Sequence, residues 1–319
     1  MKILVTLPCG ETHKQLLENA YPEAEFRYIP GPELKPEDVS DVEIGIGNIP
    51  PKLLPDCGCL RWLQLNSAGP DQYLGKMPEG AVLTNATGAY GLAISEHMLG
   101  MLLEIMKKLH RYYDNQHAHL WRDEGPVWSI EGSTALILGA GDIGGDFARK
   151  LHALGAYTIG IRRTATKKDE WLDELWHLDA LDELLPRADI VAMCLPGTAE
   201  TKGLIGAERL AKMKKNAILL NIGRGTAIDT EALCDALEKG QIGGAGLDVT
   251  DPEPLPADHR LWDMPNAIVT PHISGFYHLQ QTFERIVRIS AENLAAYREG
   301  RPLRNVIDEK IGYRTLREE

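Results

Sequence analysis

The sequence predicts an α/β protein of two domains, each built on a parallel sheet. Strand-like and helix-like segments alternate along the chain, a pattern typical of parallel strands covered by helices. The chain of 319 residues is longer than one hydrophobic core usually fills. Several strand-like segments of the second half, such as 190–193 and 217–220, are continuous apolar runs, as in strands buried on both faces. We therefore expect two Rossmann-like or flavodoxin-like domains.

The first series of elements lies before residue 98. Apolar runs separated by proline, glycine and aspartate predict strands at 3–7, 25–29, 42–47, 61–65 and 82–84, with a helix at 12–20. A long helix is predicted over 94–110, because leucines and methionines recur there at helical spacing. A polar and aromatic passage, 117–128, follows it with weak periodicity.

A second series begins at residue 134. Its predicted strands are 135–138, 157–161, 190–193, 217–221, 245–249 and 267–270, and a final helix covers 279–298. We expect a discontinuous substrate domain at 1–97 plus 276–319, and a cofactor domain at 98–275.

The charge and the cysteines limit the classes of partner. The formal net charge is −12, which disfavours nucleic acid and anionic membranes but allows an anionic substrate where arginines cluster. Five cysteines at irregular spacing predict reduced thiols in a cytoplasmic protein and no metal site. The apolar N-terminal run is short and meets Pro8, so we expect a strand and not a signal peptide.

A glycine-rich turn directly follows the predicted strand 135–138. Its pattern is Gly139-x-Gly141-x-x-Gly144, and a helix-like segment continues from it. The first glycine of such a turn permits the tight bend, the second lets the backbone approach a pyrophosphate, and the third lets helix and strand pack closely. The helix N-terminus adds N–H groups and a positive dipole end. Since strand, turn and helix are in register, we predict a dinucleotide site here.

The end of the next predicted strand indicates which dinucleotide is bound. NAD sites usually place a carboxylate there, on the ribose 2′-hydroxyl. Here Arg162, Arg163 and Thr164 follow the strand, whereas Asp169 and Glu170 come too far along the chain. Two guanidinium groups and a hydroxyl suit a 2′-phosphate. We therefore favour NADP(H), with NAD(H) as the alternative if the arginines only face solvent.

Chemically active side chains follow the last three predicted strands. They are Arg224, then Asp248, Asp251 and Glu253, then His272. Ligands of open α/β sheets bind outside the carboxyl ends of the strands. We expect an arginine, a carboxylate and a histidine to converge near the nicotinamide.

Together with the glycine turn, these segments resemble the D-isomer-specific 2-hydroxyacid dehydrogenases, which interconvert 2-oxoacids and D-2-hydroxyacids. The resemblance covers nearly the whole chain. Residues 66–71 are similar to the family's substrate-carboxylate loop, 95–100 to the start of its interdomain helix, and 195–201 to its cofactor loop. The resemblance implies an active site in a cleft between the domains, and a homodimer.

The resemblance assigns the catalytic roles to Arg224, Glu253 and His272. Arg224 would hold the substrate carboxylate and polarise the adjacent carbonyl. His272, as an imidazolium, would donate the proton that the new alkoxide needs. Glu253 would orient the ring of His272 and stabilise its charged form. The rival Asp251 matches a non-catalytic position, and we interpret His97 as structural.

The remaining site residues are also implied by the turn and the resemblance. Substrate binding is expected at Ala68 and Gly69 together with Arg224 and His272. The expected cofactor contacts are Gly139, Gly141, Asp142, Ile143, Gly144, Arg162, Arg163, Thr164, Leu195, Pro196, Thr201, Ile222, Gly223, Asp248, Ser274 and Gly275. The sequence departs from the family pattern at Pro70 and at Phe276 and Tyr277, which leaves the shape of the substrate pocket open.

We therefore expect an NAD(P)H-dependent oxidoreductase that reversibly reduces a small 2-oxoacid of the glyoxylate or hydroxypyruvate type. Two alternatives share the fold: a 3-phosphoglycerate dehydrogenase, and a dinucleotide-sensing interaction protein similar to a co-repressor. The arginine at position 162 counts against the first, and the intact catalytic trio against the second. A formate dehydrogenase would need an amide in place of Glu253.

Overall fold

The computed structural model describes residues 1–163 and 168–314. The chain divides into two compact units, Met1–Tyr90 with Tyr277–Glu319, and Gly91–Phe276. The first unit is therefore discontinuous in sequence, and the second is inserted into it. The predicted domains differ from these units only in assigning residues 91–97 and 276 to the first domain. The assignment of the first unit to substrate and of the second to cofactor stays a prediction.

Parallel sheets organise both units, which confirms the predicted fold class. The strands, in chain order, are β1 (Lys2–Val5), β2 (Glu25–Tyr28), β3 (Ile44–Ile46), β4 (Trp62–Gln64), β5 (Val82–Thr84), β6 (Thr134–Leu138), β7 (Tyr157–Ile161), β8 (Glu174–Trp176), β9 (Ile190–Met193), β10 (Ile218–Asn221), β11 (Gly244–Leu247), β12 (Ala267–Val269), β13 (Ile307–Asp308) and β14 (Tyr313–Arg314). One sheet has the order β2-β1-β3-β4-β5 and the other β12-β11-β10-β9-β6-β7-β8, while β13 and β14 form a short antiparallel pair. The first order is flavodoxin-like, and the second is the Rossmann order extended by one strand.

The helices account for most of the remaining regular structure. In chain order they are α1 (Glu11–Ala20), α2 (Pro36–Val39), α3 (Gly91–Lys107), α4 (Leu109–His117), α5 (Asp142–Ala153), α6 (Leu181–Leu184), α7 (Ala207–Lys212), α8 (Thr230–Glu238) and α9 (Gln280–Arg298). The single helix predicted over 94–110 is wrong, since Lys108 adopts a left-handed conformation with φ of 57° and separates α3 from α4. Within residues 1–163 and 168–314, no helix is long and apolar enough to span a lipid bilayer.

The second sheet places the glycine turn at its topological switch point. From β6 the chain moves to β7 and β8 on one side, and then returns to β9 on the other side of β6. Strands β9, β10 and β11 are buried at every residue, which explains why they are apolar except for Asn221 at the end of β10. A crevice forms outside the carboxyl ends of strands at such a point, so the turn after β6 lies where α/β sheets bind ligands.

The residues after 277 complete the core of the first unit. Helix α9 packs against α1, and Tyr297 of α9 stacks on the fully buried Trp62 at a ring distance of 5.4 Å. Asn293 donates from Nδ2 to Gln64 Oε1 over 2.7 Å, and both side chains are buried. The two distant segments of chain therefore form one hydrophobic core.

Candidate active site

The three glycines of the turn differ in what surrounds them. A Cβ on Gly139, whose φ is +89°, would lie 2.8 Å from the carbonyl oxygen of Cys194. A Cβ on Gly144 would lie 2.3 Å from the carbonyl oxygen of Gly139. A Cβ on Gly141 would meet nothing within 4 Å. Packing therefore explains the first and third glycines, and the open space beside Gly141 at the start of α5 fits the pyrophosphate of a dinucleotide.

The first turn of α5 contributes to this site through its backbone. Asp142 and Ile143 lie in that turn, where helical N–H groups have no intrahelical acceptors. The carboxylates of Asp142 and Asp146 lie against Gly91, so close that a Cβ there would be 3.1 and 2.4 Å from them. A carboxylate at the start of a helix such as α3 is stabilised by the helix dipole. The side chain of Asp142 is thus engaged at Gly91.

The arginine after β7 is held by two partners. Arg162 donates from Nε to the carbonyl oxygen of Ala140 in the glycine turn, and from Nη2 to the carboxylate of Asp169. The position of Asp169 along the chain predicts no contact with this site, and that prediction is wrong, because its carboxylate accepts from Arg162 Nη2. Arg163 is exposed, and Thr164 lies outside the described residues.

The loops after β9 and β10 pack backbone to backbone. A Cβ on Gly223 would lie 2.4 Å from the carbonyl oxygen of Leu195. Thr201 donates from Oγ1 to the carbonyl oxygen of Pro196 over 2.7 Å, which closes the loop after β9. Ile222, beside Gly223, is 7% exposed. Five predicted cofactor contacts thus come from two loops in direct contact.

The cysteine at the start of the loop after β9 is unreactive. Cys194 directly follows β9, and its Sγ lies 4.0 Å from Met98 Sδ. Burial raises the pKa of the Cys194 thiol to about 12, so the thiol stays protonated at neutral pH. We assign Cys194 a packing role.

The histidine and the glutamate of the predicted trio are in contact. His272 Nδ1 lies 2.6 Å from Glu253 Oε1, and both side chains are nearly half exposed. A carboxylate on Nδ1 holds the proton on that nitrogen, so an imidazolium has its Nε2 proton available for transfer. The pair therefore has the arrangement that an oriented acid–base group needs.

The arginine of the trio is positioned by a turn that packs on the glutamate's loop. Arg224 follows β10 and donates from Nη1 to the carbonyl oxygen of Gly223 over 2.7 Å. The buried Asn221 donates from Nδ2 to the carbonyl oxygen of Arg224 over 3.0 Å. A Cβ on Gly225 would lie 1.9 Å from the carbonyl oxygen of Thr250. The loop of Arg224 and the loop leading to Glu253 are thus adjacent.

Asp248 has a partner set that the sequence did not indicate. Its carboxylate is 1% exposed. Oδ1 accepts from Thr270 Oγ1 over 2.6 Å and from the Ile273 amide over 3.0 Å. Oδ2 accepts from the Ser274 amide over 3.1 Å and from Ser274 Oγ over 2.5 Å. Asp248 was predicted as a cofactor contact, and in the structure all four of these bonds hold the loop of His272.

The described cofactor contacts share one edge of the second sheet. The following residues lie after the carboxyl ends of β6, β7, β9, β10, β11 or β12: Gly139, Gly141, Asp142, Ile143, Gly144, Arg162, Arg163, Leu195, Pro196, Thr201, Ile222, Gly223, Asp248, Ser274 and Gly275. Since the strands are parallel, these ends form one row. Their contacts with a cofactor stay predictions.

The predicted substrate loop lies in the first unit. The Ala68 carbonyl accepts from Asn85 Nδ2 over 2.6 Å, and the Gly69 carbonyl accepts from Ser67 Oγ over 2.9 Å. Within the described residues, the N–H groups of Ala68 and Gly69 donate to no acceptor. Two adjacent N–H donors suit a carboxylate, but their contact with substrate stays a prediction.

Two tyrosines hold the residue at the start of this loop. Asn66 donates from Nδ2 to the hydroxyl of Tyr277, and its carbonyl accepts from the hydroxyl of Tyr90. Burial is the main cause that raises the pKa of Tyr277 to about 12, so this phenol is neutral. Sequence reasoning noted Tyr277 only as a departure from the family pattern.

Two glycine substitutions should separate packing from ligand binding. We expect Gly141→Ala to leave the thermal midpoint within a few degrees of wild type and to weaken dinucleotide binding roughly tenfold or more, because the methyl group enters the open space. Gly139→Ala should lower the midpoint, since φ is +89° and the Cys194 carbonyl is in the way. Thermal unfolding and cofactor fluorescence titration measure both effects. Equal destabilisation by the two variants would contradict the assignment.

Comparison with known proteins identifies the family of this chain. The family model described as D-isomer specific 2-hydroxyacid dehydrogenase, NAD binding domain, matches residues 99–274. A glyoxylate/hydroxypyruvate reductase B of Pectobacterium atrosepticum is 34% identical over 240 residues, 73% of each chain. A glycerate dehydrogenase of Methylorubrum extorquens is 30% identical over 269 residues, 81% of each chain.

A solved structure extends the similarity to the whole fold. The NADPH-dependent glyoxylate/hydroxypyruvate reductase of Sinorhizobium meliloti, in complex with NADP and sulfate, has a TM-score of 0.83 and 28% identity. The match covers 98% of this chain and 99% of that chain. Sheet order, glycine turn and family match agree that a nicotinamide dinucleotide is the cofactor of an oxidoreductase. The chain belongs to the family of D-isomer specific 2-hydroxyacid dehydrogenases.

Proposed function

We propose that this dehydrogenase reduces a small 2-oxoacid of the glyoxylate or hydroxypyruvate type to the D-2-hydroxyacid, reversibly and with NADPH as the preferred reductant. The observation that carries the proposal is the 2.6 Å contact between His272 and Glu253, on loops beside that of Arg224. The names of the relatives from Pectobacterium atrosepticum and Sinorhizobium meliloti support the substrate class.

The proposed reaction divides between the cofactor and the side chains. The bound dinucleotide supplies the hydride. Arg224 binds the substrate carboxylate through its guanidinium and polarises the carbonyl. His272 donates its Nε2 proton to the oxygen that becomes the hydroxyl. Glu253 keeps the ring oriented and offsets its charge. In the oxidative direction His272 accepts the proton.

The preference for NADPH rests on Arg162. Its guanidinium lies against Ala140 in the glycine turn, where the adenosine ribose of a dinucleotide would be bound. A 2′-phosphate would compete with the carboxylate of Asp169 for that guanidinium. The NADP in the Sinorhizobium meliloti structure supports this choice.

The protein also acts, in this proposal, as a homodimer. The segment 109–128 exposes large apolar side chains, with Leu109, Tyr113 and Leu120 more than half exposed and Trp121 fully exposed. Some of its internal contacts are polar, such as the hydrogen bond from Asn115 Nδ2 to Glu124 Oε1 over 2.7 Å. An ordered segment with uncovered aromatic groups favours an interface.

A substrate panel tests the activity directly. We expect oxidation of NADPH, followed at 340 nm, with glyoxylate or hydroxypyruvate. His272→Asn should lower kcat by roughly a hundredfold or more, since a general acid contributes about that much. Absence of turnover with every 2-oxoacid, using either cofactor, would contradict the proposal.

The glutamate is tested against its neighbouring carboxylate. Glu253→Gln removes the charge beside His272 and should lower kcat roughly tenfold or more. Asp251→Asn is the matched control, because Asp251 is exposed and, within residues 1–163 and 168–314, its carboxylate has no hydrogen-bond or ion-pair partner. Equal losses of kcat in the two variants would show that activity depends on the total negative charge of the loop and not on the contact of Glu253 with His272.

The cofactor choice is tested at Asp169. Asp169→Asn should lower the KM for NADPH roughly two- to fivefold and leave that for NADH unchanged, because Arg162 loses a competing partner of the strength of a surface ion pair. Glu170→Gln is the control at an exposed neighbouring position. Faster turnover of wild type with NADH than with NADPH would refute the cofactor preference.

The dimer is tested by sedimentation velocity. Wild type should sediment as a dimer at micromolar concentration, and Trp121→Asp should shift it toward monomer by placing a charge in the apolar interface. Trp262→Asp is the control, since Trp262 is another exposed tryptophan, about half exposed, and lies outside the segment 109–128. A monomeric wild type would exclude the proposed dimer.

A further inference from the structure

A chain of hydrogen bonds runs from helix α3 to the loop of His272. His97 Nε2 lies 3.0 Å from Thr270 Oγ1, and Thr270 Oγ1 lies 2.6 Å from Asp248 Oδ1. A carboxylate accepts and does not donate, so the single hydroxyl proton of Thr270 goes to Asp248. The contact with His97 must then use a lone pair of Thr270. His97 is therefore the donor, with its proton on Nε2.

The series of hydrogen bonds ends at the carboxylate of Asp248, whose acceptor sites are all occupied. A carboxylate offers about four acceptor sites. Asp248 uses two on each oxygen, and all four donors belong to residues 270–274. Asp248 is 1% exposed, so its carboxylate has lost nearly all contact with water, and these four bonds take the place of that hydration. The carboxylate of Asp248 thus stabilises the conformation of the loop 270–274.

His272 stands in the middle of that loop in an uncommon conformation. Its φ is 51°, in the left-handed region. Its amide donates to the carbonyl oxygens of Asp248 over 2.8 Å and of Thr270 over 3.0 Å. A residue persists in this conformation only when its surroundings hold it there. The direction of the His272 ring therefore depends on the bonds made by its neighbours.

We infer that His97 is a positioning residue for His272, acting through Thr270 and Asp248. The inference rests on the proposed role of His272 as proton donor. The N–H of His97 directs the Thr270 hydroxyl toward Asp248. Without it, the hydroxyl rotates away and the loop 270–274 gains alternative conformations. His272 then spends less time aligned for proton transfer, and catalysis is sensitive to such alignment.

A pair of substitutions tests the donor. His97→Leu removes the N–H and should lower kcat roughly three- to tenfold, the effect of one hydrogen bond, with a smaller change in the KM for the nicotinamide cofactor. His97→Gln keeps an N–H near the position of Nε2 and should restore most of the loss. If the two variants are equally impaired, or if only KM changes, the inference is wrong.

A double-mutant cycle tests the route. Thr270→Val removes the hydroxyl at nearly constant shape. If His97 acts through Thr270, the double variant should be no worse than Thr270→Val alone, because the same connection is lost once. Additive losses would overturn the inference, because His97 would then act without Thr270, for example through its direct approach to Asp248 Oδ1 at 3.8 Å.

A spectroscopic readout separates this inference from the proposed function. The ring signals of His272 in a ¹H–¹³C NMR spectrum are assigned by their loss in His272→Asn. They should shift or broaden in both His97→Leu and Thr270→Val, and stay at the wild-type position in His97→Gln. Unchanged signals in the first two variants refute the role of His97. Turnover of no 2-oxoacid by wild type refutes the proposed function, whatever the spectra show.

Discussion

The candidate site depends on the close approach of backbones at the carboxyl edge of the second sheet. At Gly139, Gly223 and Gly225, a Cβ would lie 1.9 to 2.8 Å from a carbonyl oxygen of the neighbouring loop. Adjacent strands are spaced about 4.8 Å apart, so the loops that leave them have little room for side chains between them. Glycine at these three positions lets four loops lie side by side. The arginine, the glutamate and the glycine turn are thereby brought to one edge.

Around this edge, each charged group has a defined partner. The carboxylate of Asp248 is buried and fully hydrogen-bonded, which is the condition for keeping a charge inside a protein. Glu253 and His272 are half exposed and paired, so their arrangement remains open to a ligand. Arg162 is paired with a carboxylate that an anion could displace. The buried carboxylate of Asp248 thus has a structural role, whereas the more exposed groups are those proposed to contact substrate or cofactor.

The sequence predicted the features that are local and periodic. Apolar runs located nearly every strand of the second sheet, and the spacing of the glycines located the turn, because each pattern acts over a few residues. The contact of Asp169 with Arg162 was not predicted, because it depends on the tertiary structure and has no sequence signature. The break at Lys108 was missed since lysine has no preference for positive φ. The contact of His97 with Thr270 joins residues 173 positions apart, so only the tertiary structure identifies it.

The discontinuous first unit has a consequence for biosynthesis. A ribosome that has completed residues 1–90 has made all five strands of the first sheet, but not the helix α9 that covers Trp62 and satisfies Gln64. The inserted unit is continuous, so it can fold as soon as its own residues emerge. Throughout that interval the nascent first sheet keeps apolar surface exposed. The strands of the first sheet are therefore made before the inserted unit, but their core is completed only after it.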